Sequence, residues 1–331
     1  MKIKNNLILL VIFMLISCII IIWIIIQISP NQDDDYITNH ESTILSIIQH
    51  INEDSMLNYI EDLVQINDKH DKSRLTGTEG CEETKEYILN ELVNLGIDTK
   101  IHNWTGIGKI EPYQNTIFES QNIEGILPSN RDNNQSIILM AHYDTVAETG
   151  SADDNSAGVA AILSIAKVLR KYEFNYEIRF LLVSGEEEGL LGSSAYAMNS
   201  YQTNDSIFTV INLDMIGYSD SEIENDEFKV RIYETCSNHL IDDIFILCKN
   251  PIYSSYINFE VIGSNTDAYH VSDHRSFCNF GYDSIFIHEY TWNYNKDTKT
   301  DLIEKLDIDY ATRVARLAAA FVTEYNSTLF V

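Results

Sequence analysis

Short apolar runs that end in acids and alternate with helical patterns constrain this chain more than any other feature. "IILMA" (Ile137–Ala141), "IRFLLV" (Ile178–Val183) and Ile207–Leu213 read as strands with both faces buried. Phe228–Tyr233 and Ser284–Ile287 add two more. Between and around them, Cys81–Leu95, Ala157–Leu169, His239–Cys248 and Asp309–Thr323 read as helices. In the first, Tyr87, Ile88, Leu92 and Leu95 recur at helical spacing and Gly96 stops the run; in the last, Val314, Leu317, Ala318 and Phe321 share one side. Strand–helix alternation predicts an α/β fold, a three-layer sandwich with a mostly parallel central sheet flanked by helices. In such sheets ligands sit beyond the carboxyl ends of the strands.

Those ends are where the acids lie. The first run leads into "AHYDT" with His142 and Asp144, the second into "SGEEEG" with Glu186, Glu187 and Glu188, and the third into "NLDMIG" with Asp214. "SADDN" (Ser151–Asn155) then opens the helix after the first strand. A single Asp-Asp-Asn before a helix reads as a cap, since Asp and Asn accept from free N–H groups of a first turn. Four segments delivering His and carboxylates to one sheet edge read differently. Clustered carboxylates resist ionising unless cations share the site, and a divalent metal pair bridged by one carboxylate supplies that compensation. His142 would bind metal through one ring nitrogen while Asp144 holds the other N–H. In the adjacent pair Glu186–Glu187, one acid can ligate metal while its neighbour takes a proton from water.

The rest of the chain narrows the classes. A net charge of −28 excludes nucleic acid as a partner, because phosphate binding needs a basic patch. An apolar content of 45% supports a sizeable core. There is no HExxH, no GxSxG and no P-loop, and "GIGKIE" lacks the third Gly of a dinucleotide loop. Leu7–Ile28 carries no charge, and a bilayer core about 30 Å thick needs about 20 apolar residues in a helix. Lys2 and Lys4 precede this run and Asp33–Asp35 follow it, so it reads as a transmembrane helix with the remainder outside the cytoplasm. A cleaved signal, or a lipoprotein signal at "LISC", is the rival reading. The expected organisation is an anchor at 1–29, a polar stalk at 30–52 and one catalytic domain at 53–331. Beyond the anchor, Cys81, Cys236, Cys248 and Cys278 allow three full disulfide pairings.

"RLTGTEG" (Arg74–Gly80), "HYD", "SADDNSAGVA", "GEEEGLLGS", "NLDMIG" and "SDHRSF" (Ser272–Phe277), in this order, resemble the di-zinc aminopeptidases of peptidase clan MH, the bacterial leucyl aminopeptidase and aminopeptidase S and Y group. The resemblance spans roughly Ser55–Tyr325. It implies that His142 and Asp214 bind one metal, that Glu187 binds the other, and that Asp154 bridges them with a cis peptide to Asn155. It further implies Glu186 as general base, Asp144 as the partner of His142, and peptides with a free N-terminus as substrates.

One position departs from the family. Its last ligand is a His in an "HTxxD" pattern, and here the text is "DTKTD", Asp297–Asp301. Asp297 reads as the replacing ligand, with manganese or cobalt joining zinc as suitable metals at the Glu187–Asp297 site. His288 as a substitute ligand and Asp297 as a solvated acid are the alternatives. The functional expectation is a membrane-anchored, outward-facing metallo-aminopeptidase. A non-catalytic ectodomain, a carboxypeptidase and a one-metal glutaminyl cyclase on the same fold are the competing readings.

Overall fold

A computed structural model of the chain describes residues 32–131, 134–234, 239–264 and 272–327. The chain divides into two compact units, Met1–Thr43 and Ile44–Val331, and the second holds the sheet. Eight strands, β1 (Asp98–Ile107), β2 (Ile117–Leu127), β3 (Gln135–His142), β4 (Glu177–Val183), β5 (Ser206–Leu213), β6 (Lys229–Glu234), β7 (Glu260–Ser264) and β8 (Ser284–Glu289), form one sheet in the order β1-β2-β4-β3-β5-β8-β6-β7. The central block β4-β3-β5-β8 is parallel throughout. Antiparallel pairing joins β1 to β2, β2 to β4 and β6 to β8, so the sheet is mixed at its flanks.

Helices α1 (Gln32–His50), α2 (Glu53–Lys69), α3 (Glu79–Asn94), α4 (Gly158–Leu169), α5 (Leu191–Gln202), α6 (His239–Lys249), α7 (His274–Cys278) and α8 (Ile308–Ser327) complete the described elements. The period-2 alternation of β3 divides the core between two faces. Ile137, Leu139 and Ala141 pack into the larger cluster with residues of α2, α3, α4 and α8. Ile138 and Met140 pack with Tyr196 and Ala197 of α5 and Phe277 of α7. These are the three layers expected from the sequence.

The N-terminal boundary differs from the expected stalk. Residues 32–50 are helical, and Ile44, Ile47, Ile48 and Ile51 are fully buried in the main core. The spacing 44-47-48-51 is an amphipathic helix stripe, so the catalytic unit begins near Ile44 rather than at residue 53. The uncharged run Leu7–Ile28 lies outside the described residues. Among the described residues, no helix is long and apolar enough to cross a membrane. Cys81 and Cys248 are free thiols, and Cys278 is disulfide-bonded.

Register brings the site together. His142 pairs with Val183 across β3–β4, and Leu213 pairs with Ile287 across β5–β8. The strand ends carrying His142, the Glu186–Glu188 loop, Asp214 and His288 therefore reach one edge of the sheet at similar height.

Candidate metal centre

Each acid is aimed by a turn that its own sequence dictates. After β4 the chain reverses at Gly185 (φ +79°), where a Cβ would stand 2.7 Å from the Trp104 ring, and again at Gly189 (φ +113°). Only glycine meets both demands at Gly185, and the two glycines bracket the three glutamates. Before α4, the Asp154–Asn155 peptide is cis, as the family resemblance implies. The helix cap here is Asn155. Its Oδ1 accepts from Gly158 N at 3.0 Å, and its Nδ2 donates to the Leu213 carbonyl at 2.9 Å, pinning the helix start to β5. The two aspartates are thereby freed from capping.

Asp153 is turned away and buried. It accepts from Gly217 N and Asn293 Nδ2, each at 2.8 Å, and burial pushes its carboxyl up to about 6. Asp154 instead meets His142, with Oδ1 at 3.2 Å from Nε2 and receiving no hydrogen bond. Asp214 Oδ1 lies 3.4 Å from the same nitrogen. Ligand atoms of His142, Asp154 and Glu187 all fall within 4.8 Å of one another. Glu186, Glu187, Asp154 and Asp214 line one cavity of about 280 Å³, which His288, Lys296 and an apolar wall of Ile110, Leu190, Met215, Phe286 and Trp292 complete. A more open cleft of about 610 Å³ beside the start of α3 contains none of these acids.

The surrounding polar groups hold the ligands in place. His142 Nδ1 is 3.2 Å from the Asp144 main-chain oxygen and 3.6 Å from its Oδ1. The Asp144 Oδ2 accepts from Glu187 N at 3.2 Å and Thr76 Oγ1 at 3.3 Å. Asp144 thus orients the imidazole chiefly through its backbone and ties the glutamate loop with its carboxylate. Nδ1 faces an acceptor-only carbonyl, which leaves Nε2 as the lone-pair nitrogen facing the acids. Ser272 Oγ donates to Asp214 Oδ2 at 2.6 Å and accepts from Asn212 Nδ2 at 2.6 Å. Asp301 receives the Asp153 and Asp154 N–H groups at 3.0–3.2 Å, and Thr298 O receives Gly150 N at 2.8 Å. A Cβ on Gly150 would collide with the Asp301 carbonyl at 1.9 Å, so the two loops interlock only with glycine there.

Electrostatically the cluster calls for a cation. Burial, then Glu187, Asp273 and Asp214, raise Glu186 well above the carboxylate range against the pull of His142. Burial, then Asp154 and Asp297, do the same to Glu187. Burial would depress His142, but Asp214, Asp144 and Asp154 overcome it and raise it. Carboxylates so placed ionise together only when positive charge joins them. With one imidazole, several carboxylates and an orphaned Asp154 oxygen, the donor set fits a divalent ion such as zinc.

Asp297 is outside the tight cluster of His142, Asp154 and Glu187, though close enough to act on Glu187. It adopts a left-handed backbone (φ +57°), is 38% exposed, and pairs with Lys296 at 3.1 Å. Lys296 is the residue that the motif reading misses; its Nζ also lies 3.3 Å from Asp154 Oδ2. Its one signal in the sequence is its place directly before Asp297 in "NKDTKTD". His288 lines the cavity with Nδ1 at 2.6 Å from the Glu289 carbonyl and Nε2 unpartnered, and burial drops it to about 4.

Comparison with known proteins gives a family and a fold. The family model described as Peptidase family M28 matches residues 122–322. Leucine aminopeptidase 1 of Paracoccidioides brasiliensis (strain Pb03) is 24% identical over 308 residues, covering 86% of this chain and 74% of that protein. Aminopeptidase YwaD of Bacillus subtilis (strain 168) is 40% identical over 102 residues, covering 30% of this chain and 22% of that protein. The crystal structure of the Legionella pneumophila LapA aminopeptidase superposes with a TM-score of 0.72 at 20% identity, over 87% of this chain and 75% of that one, a likeness of fold.

Proposed function

The chain belongs to peptidase family M28, and from that premise we propose that it is a metal-dependent aminopeptidase removing N-terminal residues from peptides. The observation that carries this reading is the convergence of His142, Asp154 and Glu187 from three segments onto one point, with Glu186 lining the same cavity. In the proposal, His142, Asp154, Glu187 and Asp214 are ligands, and Asp297 is one only if a second ion binds. A divalent ion held by these residues would supply Lewis acidity to the scissile carbonyl and lower the pKa of a water. Glu186 takes the water proton and returns it to the leaving amine. Asp144 and Ser272 keep His142 and Asp214 aimed while bonds change. The apolar wall from Ile110 to Trp292 seats the substrate's first side chain and excludes bulk water. Leu7–Ile28 anchors the chain in the cell membrane, single-pass, with the catalytic unit extracytoplasmic; its length and the flanking charges support this.

A second reading has one observation in its favour. Lys296 stands beside Asp154 where a second cation would bind, and a one-metal site suits cyclisation of N-terminal glutamine. Both readings are tested together. The chain is assayed on aminoacyl arylamides, on their N-acetylated forms, and on glutaminyl peptides, before and after chelation. Metal-dependent release of arylamine from free but not acetylated substrates is expected. Loss of ammonia from glutaminyl peptides without arylamide cleavage would replace peptidase with cyclase.

A further inference from the structure

Asp154 uses its two oxygens for different partners. Oδ1 faces His142 Nε2 at 3.2 Å, and Oδ2 faces the Lys296 ammonium at 3.3 Å. The same ammonium is 3.1 Å from Asp297 Oδ2 and 5.2 Å from the centre of the Trp292 ring, and Lys296 lines the cavity alongside Glu187. Its side chain is only 26% exposed. The loop that carries it is fixed on both sides, by Asn295 against Asn293 and by Thr298 and Asp301 against the 149–154 loop.

From this arrangement we propose that Lys296 occupies the second cation position, so that Asp154 bridges one divalent ion and one ammonium rather than two metals. The inference rests on the one-ion part of the peptidase reading above. Zinc binds a carboxylate oxygen at about 2.0–2.2 Å, so a second ion on Asp154 Oδ2 would lie within a few ångström of the Lys296 charge. A divalent ion and an ammonium that close together repel, so a fixed ammonium there weakens the binding of a second ion. The residue that would compensate a second ion, Asp297, already pairs with the same lysine at 3.1 Å. A histidine there would leave the lysine one partner short. The Asp297 departure from the family and the presence of Lys296 are thus two halves of one exchange. A neutral ligand and a divalent ion give way to an anionic side chain and a fixed monovalent cation.

The test is a count of ions in the full-length chain, reconstituted in detergent and dialysed against buffered Zn²⁺. The parent should hold one zinc per chain. Lys296→Met, which removes the charge but keeps the length, should hold two, the second binding at least about tenfold more tightly than any second ion in the parent. Lys296→Arg keeps the charge and should stay at one. Two zinc ions in the parent, or one in both parent and Lys296→Met, would overturn the proposal. No zinc in a folded parent would instead remove the metallopeptidase reading on which it rests. Should Lys296→Met fail to fold, electron paramagnetic resonance of the Co²⁺-loaded parent decides. An uncoupled high-spin signal that saturates at one equivalent supports the ammonium, and a signal lost to spin coupling at two equivalents refutes it.

Discussion

A chain that starts at Asn52 should be unstable, and one that starts at Asn39 should not. Removing residues 1–51 deletes Ile44, Ile47, Ile48 and Ile51, each 0–1% exposed and each inside the main core. Full burial of an isoleucine is worth about 1.5–3 kcal/mol, so the four together contribute about 6–12 kcal/mol. That figure is an upper bound, because unfolded chains already bury some apolar surface. Whole domains are stable by only about 5–15 kcal/mol, so the loss is of the same order as the total. The deletion also strips the Arg316 bond to the Ile51 carbonyl and the Ser46 bond to Tyr172. The assay is urea unfolding followed by circular dichroism and by intrinsic fluorescence. The chain from Asn39 should show one cooperative transition, and the chain from Asn52 should be aggregated or unfolded in dilute buffer. Matching midpoints for the two chains would refute the assignment of 44–51 to the core.

Three further outcomes follow from the site and its surroundings. Asp154→Ala should lose its bound zinc in equilibrium dialysis while keeping a native circular dichroism spectrum; full occupancy would remove it from the ligand set. Ser272→Ala leaves Asn212 Nδ2 unpartnered and Asp214 free to turn, which should weaken metal binding by about 10–100-fold in competition with a chelator. Burial pushes the Cys81 and Cys248 thiols up to about 12, so both stay protonated at pH 8. Mass-spectrometric mapping should find neither alkylated at pH 8 until denaturant is added, whereas rapid labelling in the folded chain would contradict their burial.

What the sequence makes legible follows from where burial is strongest. The central strands carry apolar residues on both faces, so β3, β4, β5, β6 and β8 are found within a residue or two of their ends. The edge pair escapes. In β1, "DTKIHNWTGI", Ile101, Trp104 and Ile107 are spaced by three and form no single apolar face, and only Trp104 is buried. Helix α5, "LGSSAYAMNSYQ", is mixed in polarity, with only Tyr196 and Ala197 reaching the core cluster on that face of the sheet, so no helical stripe marks it. Ile44–Ile51 is hidden for another reason, since an acidic segment precedes it and draws the eye to solvent. At the site, the gathering of His142, Glu186, Glu187, Asp214 and the Asp153–Asp154 pair is legible because strand ends converge in any parallel sheet, while the choice of Asp154 over Asp153 comes from the family resemblance. Asp301 as the clamp on the Asp154 turn and Lys296 beside Asp154 are not legible in this way. Each depends on how two loops distant in sequence interlock, and no periodicity records that.

The account's central claim is that Glu186 moves the proton at a metal site built from His142, Asp154 and Glu187. The most direct measurement pairs zinc content with turnover of a leucyl arylamide for the parent and Glu186→Gln. The amide keeps the size of the side chain and removes the base. General acid–base catalysis contributes about 10²–10⁴-fold, so turnover should fall by at least that range while zinc per chain stays equal to the parent's. Near-parental turnover with zinc retained would contradict the claim, as would zinc lost in proportion to activity, which would make Glu186 a ligand and not the base.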